Sequence, residues 1–363
     1  MKIFSPLDKA GEVEPLIAAG AEEFYCGVLE ETWYNPYPVI SINRRPAGKG
    51  HLRNFEELKS AAHISHKHNV PIFFTVNEHY YTKQQFPIVK DYIQKAIDAG
   101  VDALIISDYG LLSMLPSINV KMNPVRKYGR SFKPRQNKLL SSPSHKGRNL
   151  LSNGVKIHIS TGGTIFNWRT AKFYQELGAS RITLPRHLTL KEMKEIVKRI
   201  PELETTVFVF NSRCINIDGF CTFQHGLSGK QTPLLYRNAC MLPYDISCIS
   251  MNQNENAEGM ISNSQMIARQ RIWEIVHLDD YPCAACALYE FNRMNITSLK
   301  IVGRGNTTER KIKDVTFFRI LLNHLFHDNP KLSDFRNYAR KLYYKTYNRS
   351  CRAFMCHYPS VME

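Results

Sequence analysis

Eight short runs of strand-forming residues, separated by segments of helical periodicity, restrict this 363-residue chain to very few architectures. The runs are Lys2–Pro6, Glu22–Gly27, Pro71–Asn77, Ala103–Asp108, Lys156–Ser160, Arg181–Pro185, Thr205–Phe210 and Ser298–Val302. Several are apolar on both faces, as in ALIIS and TTVFVF. Strands covered on both sides by helices, in a parallel sheet, read this way. The intervening segments carry helix punctuation. Asn54 precedes Glu57 by three residues and Thr189 precedes Glu192 by three, the spacing of a capping box. Gly20, Gly100 and Gly178 each stand just before a strand, where a helix ends. Repeated strand–helix units with right-handed crossovers make either an open doubly wound sheet or a closed ring. Eight strands predict the ring, a (β/α)8 TIM-type barrel, regular or distorted. No Gly-x-Gly-x-x-Gly or Walker loop follows an early strand, which speaks against an open dinucleotide-binding sheet.

Two segments break the rhythm. From Tyr109 to Gln175 there are twelve Lys or Arg and no Asp or Glu, and residues 121–154 lack apolar periodicity. That stretch is expected to be a basic insertion in a barrel domain of residues 1–327, with a cysteine-rich region at 210–290. The tail, residues 328–363, interleaves Tyr338, Tyr343, Tyr344 and Tyr347 with basic residues. It suits either base stacking or, as the favoured expectation, a short amphipathic helix that packs its tyrosines on the barrel. The net charge of +16, from 48 Lys and Arg against 32 Asp and Glu, favours anionic partners such as nucleic acid or phosphorylated metabolites. No run of apolar residues is long enough to span a membrane, and no secretory leader is legible, so a cytoplasmic protein is expected.

Nine cysteines in a chain expected to work in a reducing compartment point to thiolate ligation rather than disulfides. Cys214 and Cys221 flank an Asp218-Gly219 turn just after the seventh strand; Cys240, Cys283 and Cys286 follow. Loops at the C-terminal ends of barrel strands form the active face, so four such thiolates could hold zinc or an iron–sulfur cluster. Buried, metal-free thiols are the alternative.

At these residues the chain resembles the peptidase U32 family, also called collagenase-like proteases. The similarity runs from residue 1 to about residue 320. FSPLDKAGEVEPLIAAGAEEFYCG resembles the family's opening unit, HLRNFEELKSAAHISHKHNVPIFFTVN its second, and GVDALIISDYGLL, IHISTGGTIFNWRTAKFYQELGASRITLPRHLTLKEM and SLKIVGR later ones. Phe208, Ser212, Cys214, Gly219 and Cys221 fit the signature E-x-F-x-x-G-[SA]-x-Cys-x4-Gly-x-Cys. The chain departs from the pattern at Thr206, Phe210, Asn211, Arg213 and Gly162, all at the expected rim, so its substrate is expected to differ from that of common members. A short form without the C-terminal extension is expected. The resemblance implies a [4Fe-4S] cluster on Cys214, Cys221, Cys240 and either Cys283 or Cys286, with Cys283 preferred. It also implies a role in hydroxylation of RNA or an aromatic metabolite. The alternatives are a metal-dependent collagenase-like peptidase acting on a peptide substrate and a non-catalytic nucleic-acid-binding member. Some relatives act as heterodimers, so a homo- or heterodimer is open. No Ser-His-Asp arrangement and no His-Glu-x-x-His motif is legible.

Other candidates sit at strand ends. Arg304 and Arg186 could hold an anion or form structural ion pairs, and Asp108 could act as a general base or cap a helix. Asn77, His79, Ser160, Thr161, Asn211, Arg213 and Lys300 are candidates for substrate contact.

Overall fold

The computed structural model describes residues 1–37, 41–45, 48–115, 154–211, 214, 216–221 and 282–362. Its centre is a closed ring of eight parallel strands in sequence order: β1 Lys2–Pro6, β2 Glu23–Cys26, β3 Ile72–Val76, β4 Ala103–Ile106, β5 Lys156–Ile159, β6 Arg181–Thr183, β7 Glu204–Phe210 and β8 Ser298–Ile301. Ring closure is the pairing of β1 with β8, where Ile3 opposes Leu299. The expected strands and the expected barrel are therefore present, with boundaries differing by a residue or two. The basic insertion, apart from Gly154, and most of the cysteine-rich region fall outside the described residues.

Alternation along each strand divides the core in two. Outward residues such as Ile3, Phe24, Phe74, Leu104, Ile106 and Leu299 pack under the helices. Phe4, Tyr25, Phe73, Ala103 and Ile105 form a separate cluster whose rings meet edge to face, Phe4–Tyr25 at 5.0 Å and Phe4–Phe73 at 5.4 Å.

The helices are α1 Val13–Ala19, α2 Glu31–Tyr34, α3 Phe55–Lys67, α4 Phe86–Asp98, α5 Tyr109–Met114, α6 Trp168–Glu176, α7 Leu190–Arg199, α8 Leu288–Arg293, α9 Thr308–His327 and α10 Leu332–Tyr347. The box at Thr189–Glu192 is complete, with both reciprocal bonds. At Asn54 it is half made: the Asn54 side chain accepts from Glu57 N–H. The Glu57 carboxylate instead accepts from Arg53 N–H and Ala10 N–H, tying α3 to the β1–α1 loop. α1 stops at Gly20, in the left-handed region at φ 111°. There the Gly20 carbonyl accepts from Arg319 at 2.7 Å, and an added Cβ would lie 2.5 Å from that guanidinium.

The tail packs as expected. α10 buries Tyr343 and Tyr347 and leaves Tyr344 on the surface. Tyr347 donates to Asp314 at 2.9 Å, and its ring packs 5.1 Å from that of Phe210, the last residue of β7.

One end of the lumen is closed by charge. Arg181, on β6, reaches Glu23 of β2 with two hydrogen bonds of 2.7 and 2.9 Å. It also donates to Glu204 of β7 at 2.7 Å. Ser298 of β8 donates to Glu23 at 2.6 Å, and Lys2 of β1 lies 3.4 Å away. Burial alone would raise the Glu23 pKa, but the Arg181 bonds and charge outweigh it and hold the carboxyl below its ordinary value of 4.5. The native state therefore keeps Glu23 ionised where the unfolded chain begins to protonate. Its stabilisation is complete above pH 4.5 and fades as pH falls through the lowered native value. Glu23→Gln leaves a buried guanidinium short of its partner and should cost about 3 kcal/mol. Urea unfolding at neutral pH should show that loss, and Glu23→Leu combined with Arg181→Met should recover much of it.

A candidate active site at the barrel mouth

The C-terminal ends of the strands carry a group of cations with no ion-paired carboxylate among the described residues. Arg304 follows β8 and turns back over the lumen. It donates to Thr75 Oγ1 on β3 and to the Asn43 carbonyl, both at 2.8 Å, and lies 5.8 Å from the Tyr25 ring centre. Room for it exists because residue 27, just beyond β2, is glycine. A Cβ there would lie 2.8 Å from Arg304 Nη1 and 2.3 Å from Asn43 Nδ2. Arg45 comes from the long β2–α3 loop, and its Nη1 reaches the Arg44 carbonyl at 3.3 Å. The Nε atoms of Arg45 and Arg304 are buried without a partner. Lys300, on β8, is buried, with its ammonium over the rings of Tyr25, Phe4 and Phe208 at 4.4, 5.3 and 5.4 Å.

Among the described residues no carboxylate pairs with Lys300, Arg45 or Arg304. Burial first, then the Arg45 charge, lowers the Arg304 pKa to about 10. Burial, then Arg44 and Arg186, lower that of Arg45; burial, then Arg304, Arg45, Arg44 and Arg186, lower that of Lys300. His51, held by Asn43 Oδ1 at 2.9 Å, is kept neutral by burial and by Arg304. An uncompensated set of this kind is an electrostatic hole shaped for an anion.

Arg186 behaves differently. Its guanidinium forks onto Asp218 at 2.6 and 3.0 Å, and its backbone N–H adds a third bond at 2.9 Å. Asp218 is fully buried. Desolvation would raise its pKa, but Arg186 holds it far below the carboxylate range. Of the two roles open to Arg186, the structure shows the ion pair. The pair fixes the turn between Cys214 and Cys221. Gly219, at φ 89°, packs so closely on β5–α6 that a Cβ would lie 2.3 Å from Thr164 Cγ2. Cys214 is half-buried, which raises its pKa, while Arg186 opposes that rise.

Cys283 lies where β7 ends, bridged to Phe210 on one side and to Cys356 of the tail on the other. Its sulfur accepts the Ala285 N–H at 3.2 Å. The Cys286 sulfur turns away and donates to the Arg336 carbonyl of α10 at 3.9 Å. Cys240, Arg213 and Ser212 lie outside the described residues. Among the described residues, no three His, Cys, Asp or Glu side chains gather closely enough to hold a metal ion.

The remaining candidates are dispersed around the rim. Asp108 caps α5 through Gly110 N–H at 2.6 Å and accepts Tyr81 N–H at 2.7 Å, so both oxygens serve backbone. Asn77 donates to Ser160 Oγ at 3.1 Å, joining β3 to β5. Thr161 opens a short 3-10 turn, and His79 approaches it closely enough that a Cβ on Gly162 would lie 3.3 Å from the ring. Asn211, at φ 60°, is buried and bonds Val302 O and Asp314 at 2.9 Å each, with Arg310 donating to it at 3.2 Å. Sequence reasoning missed Asn43, Arg45, His51 and Asp218. The first three had one available signal: the β2–α3 connection is far longer than such connections usually are, and long loops on this face carry function.

Comparison with known proteins adds the lineage. The sequence model of peptidase family U32 matches residues 9–125 and 149–362. A tRNA hydroxylation protein P of Escherichia coli (strain K12) is 26% identical over 247 residues, 68% of this chain and 44% of that protein. An uncharacterized protease of Methanocaldococcus jannaschii is 23% identical over 356 residues, covering 96% and 72%. The 23S rRNA 5-hydroxycytidine C2501 synthase of E. coli is 23% identical over 248 residues, covering 68% and 30%. The chain thus spans less than half the length of the two E. coli relatives.

Asp218→Asn keeps the shape of the side chain but removes its charge from Arg186. Backbone amides of residues 216–221 should then exchange roughly tenfold faster or more, the factor that about 1.4 kcal/mol of local stability sets. Hydrogen-exchange mass spectrometry checks this, with the barrel strands as the unchanged control.

Proposed function

The chain belongs to peptidase family U32, and on that premise we propose that it is an iron–sulfur protein acting in RNA hydroxylation. The observation that carries the reading is the barrel mouth, where Lys300, Arg45 and Arg304 converge with no carboxylate in ion-pair contact among the described residues. Such a site takes the anionic part of a substrate, and the net charge of +16 suits a polyanion beyond it. The names of the two E. coli relatives, a tRNA hydroxylation protein and an rRNA hydroxycytidine synthase, supply the reaction class.

The proposed ligands of the [4Fe-4S] cluster are Cys214, Cys221, Cys240 and Cys283. Their chemistry fits the group: the donors are all thiolates, Arg186 stands beside Cys214, and an N–H already points at the Cys283 sulfur, as cluster sulfurs require. Cys286 fits less well, since its sulfur is turned to the Arg336 carbonyl. When bound, such a cluster supplies electron transfer. The protein's own groups do the rest. Arg45 and Arg304 fix the anionic group, Tyr25 and Phe208 wall the lumen, and the Arg186–Asp218 pair holds the cysteine turn against β5.

Anaerobically purified protein should be brown, with iron and sulfide in equal amounts. Cys214→Ala and Cys283→Ala should lose the colour, whereas Cys286→Ala should keep it. Host RNA lacking this protein should lose a nucleoside one oxygen heavier than its parent, and Arg304→Met should not restore it. The M. jannaschii relative's name keeps proteolysis as the second reading. Cleavage of gelatin by a variant lacking the clustered cysteines, with unchanged host RNA, would replace the first reading by the second.

A further inference from the structure

Lys300 is the least explained group in the lumen. It is 5% exposed, lies on β8 near the mouth, and rests on three ring faces. Among the described residues it has neither a hydrogen bond nor an ion pair. The charges that act on it most are positive: Arg304 and Arg45 at the mouth, Arg44 beside them and Arg186 across Phe208; the Asp8 carboxylate, paired with Lys311, acts on Arg304, Arg45 and Tyr25. His158, buried on β5, completes the titratable set together with Tyr25, whose hydroxyl is engaged with the Ile301 carbonyl at 2.8 Å.

A lysine retained for structure is normally paired or reaches water with its ammonium. Here three aromatic faces favour the cation, and burial with four guanidinium groups opposes it. Burial and the neighbouring charges push the ammonium well below the ordinary lysine value. A buried lysine whose charge is disfavoured by neighbouring cations is the arrangement that makes an amine a nucleophile toward carbonyl carbon.

We propose that Lys300 is a carbonyl-condensing residue, forming an imine with a small oxo acid whose carboxylate is held by Arg304 and Arg45. The acid group follows from the mouth. Lys300 and Arg304 both approach the Tyr25 ring, at 4.4 and 5.8 Å, so the ligand class that suits the pair carries a carbonyl and a carboxylate close together. The amine nitrogen attacks the carbonyl carbon, and the carbonyl oxygen takes up the amine's proton to give a carbinolamine. The nitrogen's remaining proton passes to that hydroxyl as the C–O bond breaks, so the oxygen leaves as water and C=N remains. Nothing is oxidised or reduced. The inference shares the guanidinium site with the hydroxylation reading but needs neither a cluster nor RNA.

The test is reductive trapping on the full chain with pyruvate as probe and cyanoborohydride at neutral pH, read by intact mass and peptide mapping. One reduced pyruvyl group should appear on the peptide containing Lys300, ahead of every other lysine, and should be absent from Lys300→Met. Each unit by which a pKa is lowered raises the free-amine fraction about tenfold, so the preference should be large. Arg304→Met should cut the trapping rate about tenfold, as loss of one charge-assisted contact does. Acetone, which lacks the acid group, should react more slowly than pyruvate on the wild type. If Lys300→Met fails to fold, Lys300→Arg and the wild-type map decide. Labelling spread over surface lysines with Lys300 unmodified, or equal labelling of Lys300→Arg, overturns the assignment. The trapping reads the same whether or not iron is present, so its failure leaves the cluster reading standing, and a colourless protein leaves this one standing.

Discussion

The buried pair of Glu23 and Arg181 is the interaction on which the rest of the barrel depends. A ring of eight strands must fill its own centre, and here one layer is filled with charge. Arg181 and Glu23 join β2 to β6 across the lumen, with β1, β7 and β8 tied in through Lys2, Glu204 and Ser298. Neither ion survives burial alone, so the strands must hold the register that brings them together. Tyr25, next but one after Glu23 along β2, and Phe73, whose ring stacks under Arg181 at 5.2 Å, build the aromatic layer on this base.

The lumen thus sorts its charges. At one end the ions have counter-ions, and at the mouth Arg45, Arg304 and Lys300 have none in contact among the described residues. The first arrangement stabilises the fold, and the second is tolerable only because the rest of the structure is stable enough to hold it. Loops deliver two of the cations: Arg45 arrives from the β2–α3 connection and Arg304 from beyond β8, where Gly27 leaves room for it beside Asn43. The Cys214–Cys221 turn is pinned separately, by Asp218 on Arg186, so the cysteine face and the anion face share a rim without sharing ligands.

Much of this was legible in the sequence because periodicity and strand chemistry are local. The β1 range, Lys2–Pro6, agreed at both ends, and the other strands agreed within about two residues, since runs such as ALIIS have no other low-energy use. The Thr189 cap and the packing of Tyr343 and Tyr347 followed for the same reason. What could not be read was partner choice. Nothing near Arg186 in sequence says that its carboxylate lies at Asp218, or that Glu57 will leave its own box to hold Ala10. Nor does SLKIVGR reveal that Lys300 will meet only rings and guanidinium groups. These outcomes depend on which loops land together, and that is fixed only when the ring closes.

Ring closure has a consequence for biosynthesis. β1 finds its second neighbour only in β8, about 300 residues later in the chain. At translation speeds of about 5–20 residues per second, its outer edge stays unsatisfied for roughly 15–60 s. Throughout that interval Ile3 and Phe4 form part of an open template for foreign strands, guarded by little more than the charge of Lys2. The last strand to emerge is thus the one that hides the first, and the length of the chain between them sets how long that edge stays bare.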